Sequence, residues 1–213
     1  MEEIIIEFFK NTVEVKSFGL NAKTISALMI VVLSTYQMWG VSQQFATIRR
    51  KESAESISLP FFIFTFFYMT ATIMYGIYTD KLSVIYNGLN AFFFLAVLLI
   101  AWRYKKITGS DIWSLILFSL IIPIMIMVND KKVAYMSCAS LTFLLAFFQL
   151  KLLIKKGKRG SLEPKLINVY VVTNSAWLVY GIITKDWVFE LSSSIGLALL
   201  IIIAILLRVY KDS

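Results

Sequence analysis

The chain has 213 residues, of which 59% are apolar and 16% are charged, against about 25% charged residues in an average soluble domain. Its 17 Phe, 10 Tyr and 5 Trp exceed what the interior of a small soluble protein can enclose, because so small a body is mostly surface. The composition therefore excludes an ordinary soluble globular protein and predicts an integral membrane protein in contact with lipid.

The net charge is +8, and the chain has one cysteine and no histidine. In a soluble protein this charge would suggest nucleic acid as a partner, but in a membrane protein basic residues chiefly set the orientation. Cys138 alone cannot form a disulfide or a thiolate metal site. The absence of histidine removes the commonest metal ligand and general base. We expect no nucleic-acid partner, no cofactor or metal, and no enzymatic activity.

The first 22 residues carry four glutamates around short apolar groups, the reverse of the basic start of a signal peptide. They predict an amphipathic segment on the membrane surface. Seven apolar runs follow, each close to the roughly 20 residues that a membrane-spanning helix needs. Helices are expected because open strands cannot satisfy their backbone groups in lipid. The runs are 25–41, 59–78, 82–102, 112–128, 133–153, 166–183 and 187–207.

The basic residues predict the orientation of these helices. Fourteen of the 21 Lys and Arg lie near or beyond the ends of the first, third, fifth and seventh runs, and seven lie on the other side. Because basic residues gather on the cytoplasmic side, we expect the N-terminus outside and the C-terminus in the cytoplasm, in the cell membrane.

The two halves of the sequence resemble each other at a spacing of 105 residues, which indicates an internal repeat. The last pair below requires a one-residue insertion in the second loop. The pairs are Gln44 with Gln149, Ile57 with Leu162, 75–77 with 180–182 (both Tyr-Gly-Ile), Thr79 with Thr184, and Asp80 with Asp186.

This repeat predicts an all-α architecture of three helices, one linking helix and three helices. An odd linker makes both repeats enter the membrane from the same side, an arrangement known in transporters. The expected segments are an N-terminal amphipathic segment (1–22), a first bundle (23–106), a linking helix (107–129) and a second bundle with the C-terminal tail (130–213).

Several short motifs then carry a family resemblance. Ser-Ile-Ser at 56–58, Trp-x-x-Tyr-Gly at 177–181, and Asp80 followed seven residues later by Asn87 resemble the SWEET and SemiSWEET sugar transporters of the PQ-loop superfamily. The resemblance extends over about residues 25–211. It implies a passive, bidirectional uniporter that works by alternating access on a small neutral solute, a mono- or disaccharide.

The resemblance also implies a substrate site made of Asn87 and Thr72 in the first repeat and Ser193 and Trp177 in the second. A sugar requires groups that donate and accept hydrogen bonds, and a flat aromatic surface for its C–H face. Each residue has an alternative role. Asn87 can bond a neighbouring helix, Trp177 can pack or anchor at the interface, and the small residues can let helices approach closely.

The resemblance further implies an outer gate formed by two tyrosines and two aspartates. The alternative for the aspartates is that they cap the helices that follow them, because a carboxylate accepts from free amides at a helix start. The gate residues are Tyr75, Asp80, Tyr180 and Asp186.

On the inner side, Gln44 and Gln149 correspond to the glutamine of the Pro-Gln motif, but Gln43 and Phe148 replace both prolines. Since proline permits a helix kink, we expect the bundles to rock rather than the helices to bend. Glu190 is the only acidic residue in the seven runs, and we expect it to reach the interface, which leaves transport passive.

Two alternatives stay open at this point. One is a PQ-loop transporter of another small metabolite, such as an amino acid or a vitamin. The other is a non-transporting seven-helix receptor; a receptor for peptides would be expected to show a fixed charge cluster within the spans. Two bundles in one chain neither require nor exclude a homo-oligomer.

Overall fold

The computed structural model describes residues 2–54, 58–156 and 164–209, and every regular element in these ranges is helical. The helices are α1 (Glu2–Asn11), α2 (Val13–Lys16), α3 (Ala22–Lys51), α4 (Leu59–Tyr78), α5 (Leu82–Gly88), α6 (Asn90–Tyr104), α7 (Gly109–Ser119), α8 (Ile121–Met127), α9 (Lys131–Lys156), α10 (Pro164–Thr184) and α11 (Trp187–Val209).

Five stretches of the described chain are long and apolar enough to cross a membrane, by length and composition: Ala22–Lys51, Leu59–Tyr78, Leu82–Tyr104, Gly109–Met127 and Trp187–Leu206. Many of their large apolar side chains are exposed, as lipid contact requires. The chain is therefore an integral membrane protein. Because α9 and α10 include side chains outside the described part, the count of seven spans stays a prediction.

Local sequence signals set where several helices begin. The side chain of Asn21 accepts a hydrogen bond of 3.0 Å from the backbone N–H of Thr24 at the start of α3, which is the usual role of asparagine at this position. Pro60 lies in the first turn of α4, where its missing N–H costs nothing. Thr108 and Asp111 form a reciprocal capping box at the start of α7.

The predicted linking helix consists of two segments, α7 and α8, that meet at Leu120. Pro123 explains the interruption, because it has no N–H to offer the carbonyl of Ser119 four residues earlier. The third predicted helix is likewise divided at Leu89, whose N–H contacts the carbonyls of both Ile85 and Tyr86 at 3.1–3.2 Å. In both places one predicted helix becomes two consecutive segments.

The chain divides into two compact units, residues 1–135 and 136–213. In the first unit, α4 packs against α5, α6, α7 and α8, and α3 packs against α5 and α6. A core that includes Ile48, Leu59, Ile63 and Val97 fills this unit. In the second unit, α10 packs against α11. The four segments predicted from the repeat stay a prediction.

Candidate functional site

Asn87 is a buried polar side chain on α5. Its Oδ1 accepts a hydrogen bond of 2.9 Å from the hydroxyl of Ser34 on α3. Its Nδ2 lies 3.9 Å from the sulfur of Met69 on α4, and a thioether is a weak acceptor. The carbonyl side of the amide is therefore satisfied by the protein, while the N–H side can still donate to a better acceptor.

The close approach of α4 and α5 holds Asn87 in this position. A Cβ atom at Gly88 would lie 2.7 Å from the backbone nitrogen of Ile73 and 3.0 Å from the carbonyl of Met69, so only glycine fits there. Beyond it, the Nδ2 of Asn90 donates to the carbonyl of Asn87 over 2.8 Å. Asn87 is thus held by the close packing at Gly88 and by the hydrogen bond that its backbone carbonyl accepts from Asn90.

Thr72 lies on α4 one turn after Met69 and is also buried. Its hydroxyl donates to the carbonyl of Tyr68 over 2.9 Å and lies 3.1 Å from the hydroxyl of Tyr135. The Tyr135 hydroxyl is also 3.1 Å from that of Tyr68. Each hydroxyl has one proton, so these groups can exchange partners when a further donor or acceptor arrives.

The hydroxyls of Thr72, Tyr135 and Tyr68 lie beside stacked aromatic rings in the first unit. The ring of Tyr135 stacks on that of Tyr75 with centroids 4.4 Å apart, and on that of Tyr68 at 5.7 Å. Tyr75, predicted as an outer-gate residue, is fully buried by this packing. The structure therefore brings Thr72 and Tyr75 to the same aromatic cluster.

In the second unit, Trp177 packs among aromatic side chains of α10 and α11. Its ring stacks on Phe189 with centroids 4.8 Å apart and meets Tyr180 edge-on at 5.7 Å. Tyr180 is fully buried and Ser193 is nearly so. Trp177 therefore packs against neighbouring aromatic rings, as the alternative prediction stated, and its side chain is half-buried.

The loops that follow α4 and α10 have the same backbone geometry. Asp80 and Lys185 both adopt a φ of 53°, and the next residue, Lys81 or Asp186, donates its N–H over 2.9 Å to the carbonyl five residues earlier. The spacing of 105 therefore continues through the loops without an insertion. The pairing of Asp80 with Asp186 was wrong, because Asp80 corresponds to Lys185.

The same register changes the counterpart of Asn87. At a constant spacing of 105, Asn87 corresponds to Ser192, and Ser193 corresponds to Gly88. Ser193 thus occupies the position of Gly88, where α4 and α5 in the first unit leave no room for a Cβ atom. Its role in substrate binding stays a prediction, and the register favours a packing role.

The two predicted gate aspartates have different surroundings. Asp186 is buried, and its Oδ1 accepts from the N–H of Val188 over 3.2 Å, so its capping role is confirmed. Asp80 is exposed, and the amides of Leu82 and Ser83 at the start of α5 bind the carboxylate of Glu14 instead. The capping alternative was therefore wrong for Asp80.

Some predicted features lie outside the described residues. These are the side chain of Gln149 and the residues Ser56, Ile57 and Leu162. Gln44 is half-buried on α3. The gate and inner-side assignments stay predictions.

Several side chains that lie beside the candidate residues were not predicted, among them Tyr68, Tyr135 and Glu14. Tyr68 is four residues before Thr72, and this spacing puts both on one helix face, which is a signal that was available. Tyr135 and Glu14 come from distant parts of the chain, and no local pattern points to them.

The chain is similar in fold to a solved structure of a eukaryotic SWEET transporter. The TM-score is 0.72 over 89% of this chain and 96% of that chain, with 17% sequence identity. No protein-family model matches the sequence, and no curated protein matches it. The resemblance drawn from the sequence motifs is thus confirmed at the level of structure: the chain has the fold of a SWEET transporter.

Proposed function

We propose that this protein is a membrane transporter that carries a small neutral sugar down its gradient by alternating access. The observation that carries the proposal is the buried amide of Asn87, whose Nδ2 faces only a sulfur among the described residues. The proposal draws support from the fold, since the similar structure is that of a SWEET transporter.

The chemistry of the candidate residues suits a polyhydroxylated solute. A hydroxyl that leaves water without a partner costs several kcal/mol in an apolar medium, about 4–8 on the strictest scale. Asn87 can donate to such a group, and the hydroxyls near Thr72 can either donate or accept. Trp177 offers an aromatic face for the C–H side of a sugar. Asn87, Thr72 and Trp177 are the proposed substrate contacts; Ser193 was predicted as a fourth, but its register with Gly88 favours a packing role.

Passive transport is proposed because the acidic groups in the candidate spans lie at helix starts. Asp111 is in the first turn of α7, where its carboxylate accepts from the N–H of Thr108 over 2.8 Å. Glu190 is in the first turn of α11. Neither position, among the described spans, resembles the mid-membrane acid of a proton-coupled carrier.

Counterflow in liposomes containing the purified protein tests this function. We expect saturable exchange of labelled glucose or sucrose and no exchange of labelled amino acids above the level of empty liposomes. Amino-acid exchange without sugar exchange would contradict the sugar assignment and favour the transporter of another metabolite. Absence of exchange for every solute would favour the receptor alternative.

Thr72→Ala is expected to slow sugar counterflow about three- to tenfold, because it removes a hydroxyl that links the site to Tyr135. Thr70→Ala is the matched control. The Thr70 hydroxyl also bonds its own helix, donating over 2.9 Å to the carbonyl of Phe66, and it is not a partner of Tyr135. Equal rates for the two variants would remove Thr72 from the site.

A further inference from the structure

The two repeats differ at the start of their third predicted helix, which begins with α5 in the first unit and is α11 in the second. In the second unit, Asp186 precedes α11 and its own carboxylate binds the N–H of Val188. At the equivalent position before α5 the first unit has Lys81, and an ammonium group can donate but not accept. The first unit therefore needs an acceptor from elsewhere to satisfy the free amides of α5.

Glu14, in the N-terminal segment, supplies that acceptor from 68 residues away. One carboxylate oxygen accepts from the N–H of Leu82 over 3.0 Å, and the other accepts from the N–H and the hydroxyl of Ser83 over 3.2 and 2.6 Å. The backbone N–H of Val13 donates to the carbonyl of Asp80 over 2.8 Å. Glu14 is 9% exposed and Thr12 is fully buried, so this contact belongs to the buried interior of the folded protein.

We infer that Glu14 is a positioning residue for Asn87. It takes the place of the aspartate that the first repeat lacks and holds the first turn of α5. The assignment of a transport effect to this contact rests on the proposed function, whereas the contact itself does not.

The shape of the third predicted helix explains how Glu14 acts on Asn87. Leu89 keeps helical backbone angles, but its N–H is shared between the carbonyls of Ile85 and Tyr86, so the seven residues of α5 lie between its start and a local irregularity of the helix. Asn87 is four residues after Ser83, which is about one turn. A short segment that is held at its first turn keeps Asn87 within reach of Ser34 and Met69, and a loosened one does not.

Hydrogen exchange tests the contact without any use of transport. In Glu14→Ala, we expect exchange in a peptide covering residues 81–88 to rise about tenfold, as the loss of a helix cap predicts. Exchange in residues 187–194 should not change, because Asp186 still caps α11. Unchanged exchange in residues 81–88 would show that Glu14 does not hold α5.

Sugar counterflow tests the positioning role. Glu14→Ala should raise the KM about five- to tenfold with a smaller change in the maximal rate, and Glu14→Gln should lie between it and the wild type. Asn21→Ala is the matched control, because it removes the cap of α3 in the same region of the chain. It should lower thermal stability and leave the KM unchanged, and an equal rise in KM would contradict the inference.

The decisive variant is the double substitution Glu14→Ala with Lys81→Asp. It gives the first repeat the local cap that the second repeat has, and it should restore both the exchange protection and the KM. A KM that stays at the Glu14→Ala value would overturn the inference. If the wild type carries no sugar, the proposed function fails, while the exchange experiment still decides whether Glu14 holds α5.

Discussion

Gly76→Ala is expected to destabilise the protein by about 3 kcal/mol and to lower its melting temperature by about 10 °C. A Cβ atom at this position would lie 2.7 Å from the backbone nitrogen of Ile85. Because the clash is with backbone, a side-chain rotation cannot relieve it, and α4 must move away from α5. Thermal unfolding of the purified protein in detergent measures the effect.

The repeat provides a second copy of this experiment. A Cβ atom at Gly181 would lie 2.8 Å from the backbone nitrogen of Glu190, so Gly181→Ala should have an effect of similar size. Gly40 is the matched control, since a Cβ atom there meets nothing within 4 Å. Gly40→Ala should be neutral or stabilise the helix by about 0.5–1 kcal/mol. A loss at Gly40 as large as that at Gly76 would contradict the packing argument.

Asn87→Ala is expected to reduce sugar counterflow at least about tenfold, because it removes the amide that we propose donates to the substrate. It also leaves the hydroxyl of Ser34 without its 2.9 Å acceptor. Initial rates at equal amounts of reconstituted protein measure the effect.

Asn174→Ala is the control for that substitution. The amide of Asn174 donates to the carbonyl of Tyr170 in its own helix over 2.9 Å, and the position is not among the proposed substrate contacts. We expect its rate to stay near that of the wild type. If Asn87→Ala retains the wild-type rate, the site assignment is wrong.

The apolar runs and the Tyr-Gly motif made the helices predictable, since membrane spans are encoded in local composition. The apolar run 59–78 coincides with α4. The interruption of the linking helix at Leu120 was not predicted, although Pro123 was visible, because one proline alone does not say whether a helix bends or divides. Local signals therefore predicted where helices lie better than where they are interrupted.

The register of the repeat and the cap of α5 were less accessible to sequence analysis. Matching Asp80 to Asp186 by residue type required an insertion, but the backbone pairs Asp80 with Lys185. The two loops have the same backbone geometry, although the residues at equivalent positions differ. The carboxylate of Glu14 reaches α5 only through tertiary structure, so no periodicity could reveal it.

Net sugar flux through liposomes without an ion gradient tests whether the protein carries sugar passively. We expect saturable flux of labelled glucose or sucrose in both directions with the purified protein alone, at rates that follow the sugar gradient. Flux that appears only when a proton or sodium gradient is imposed, or no sugar flux above that of empty liposomes, would contradict it.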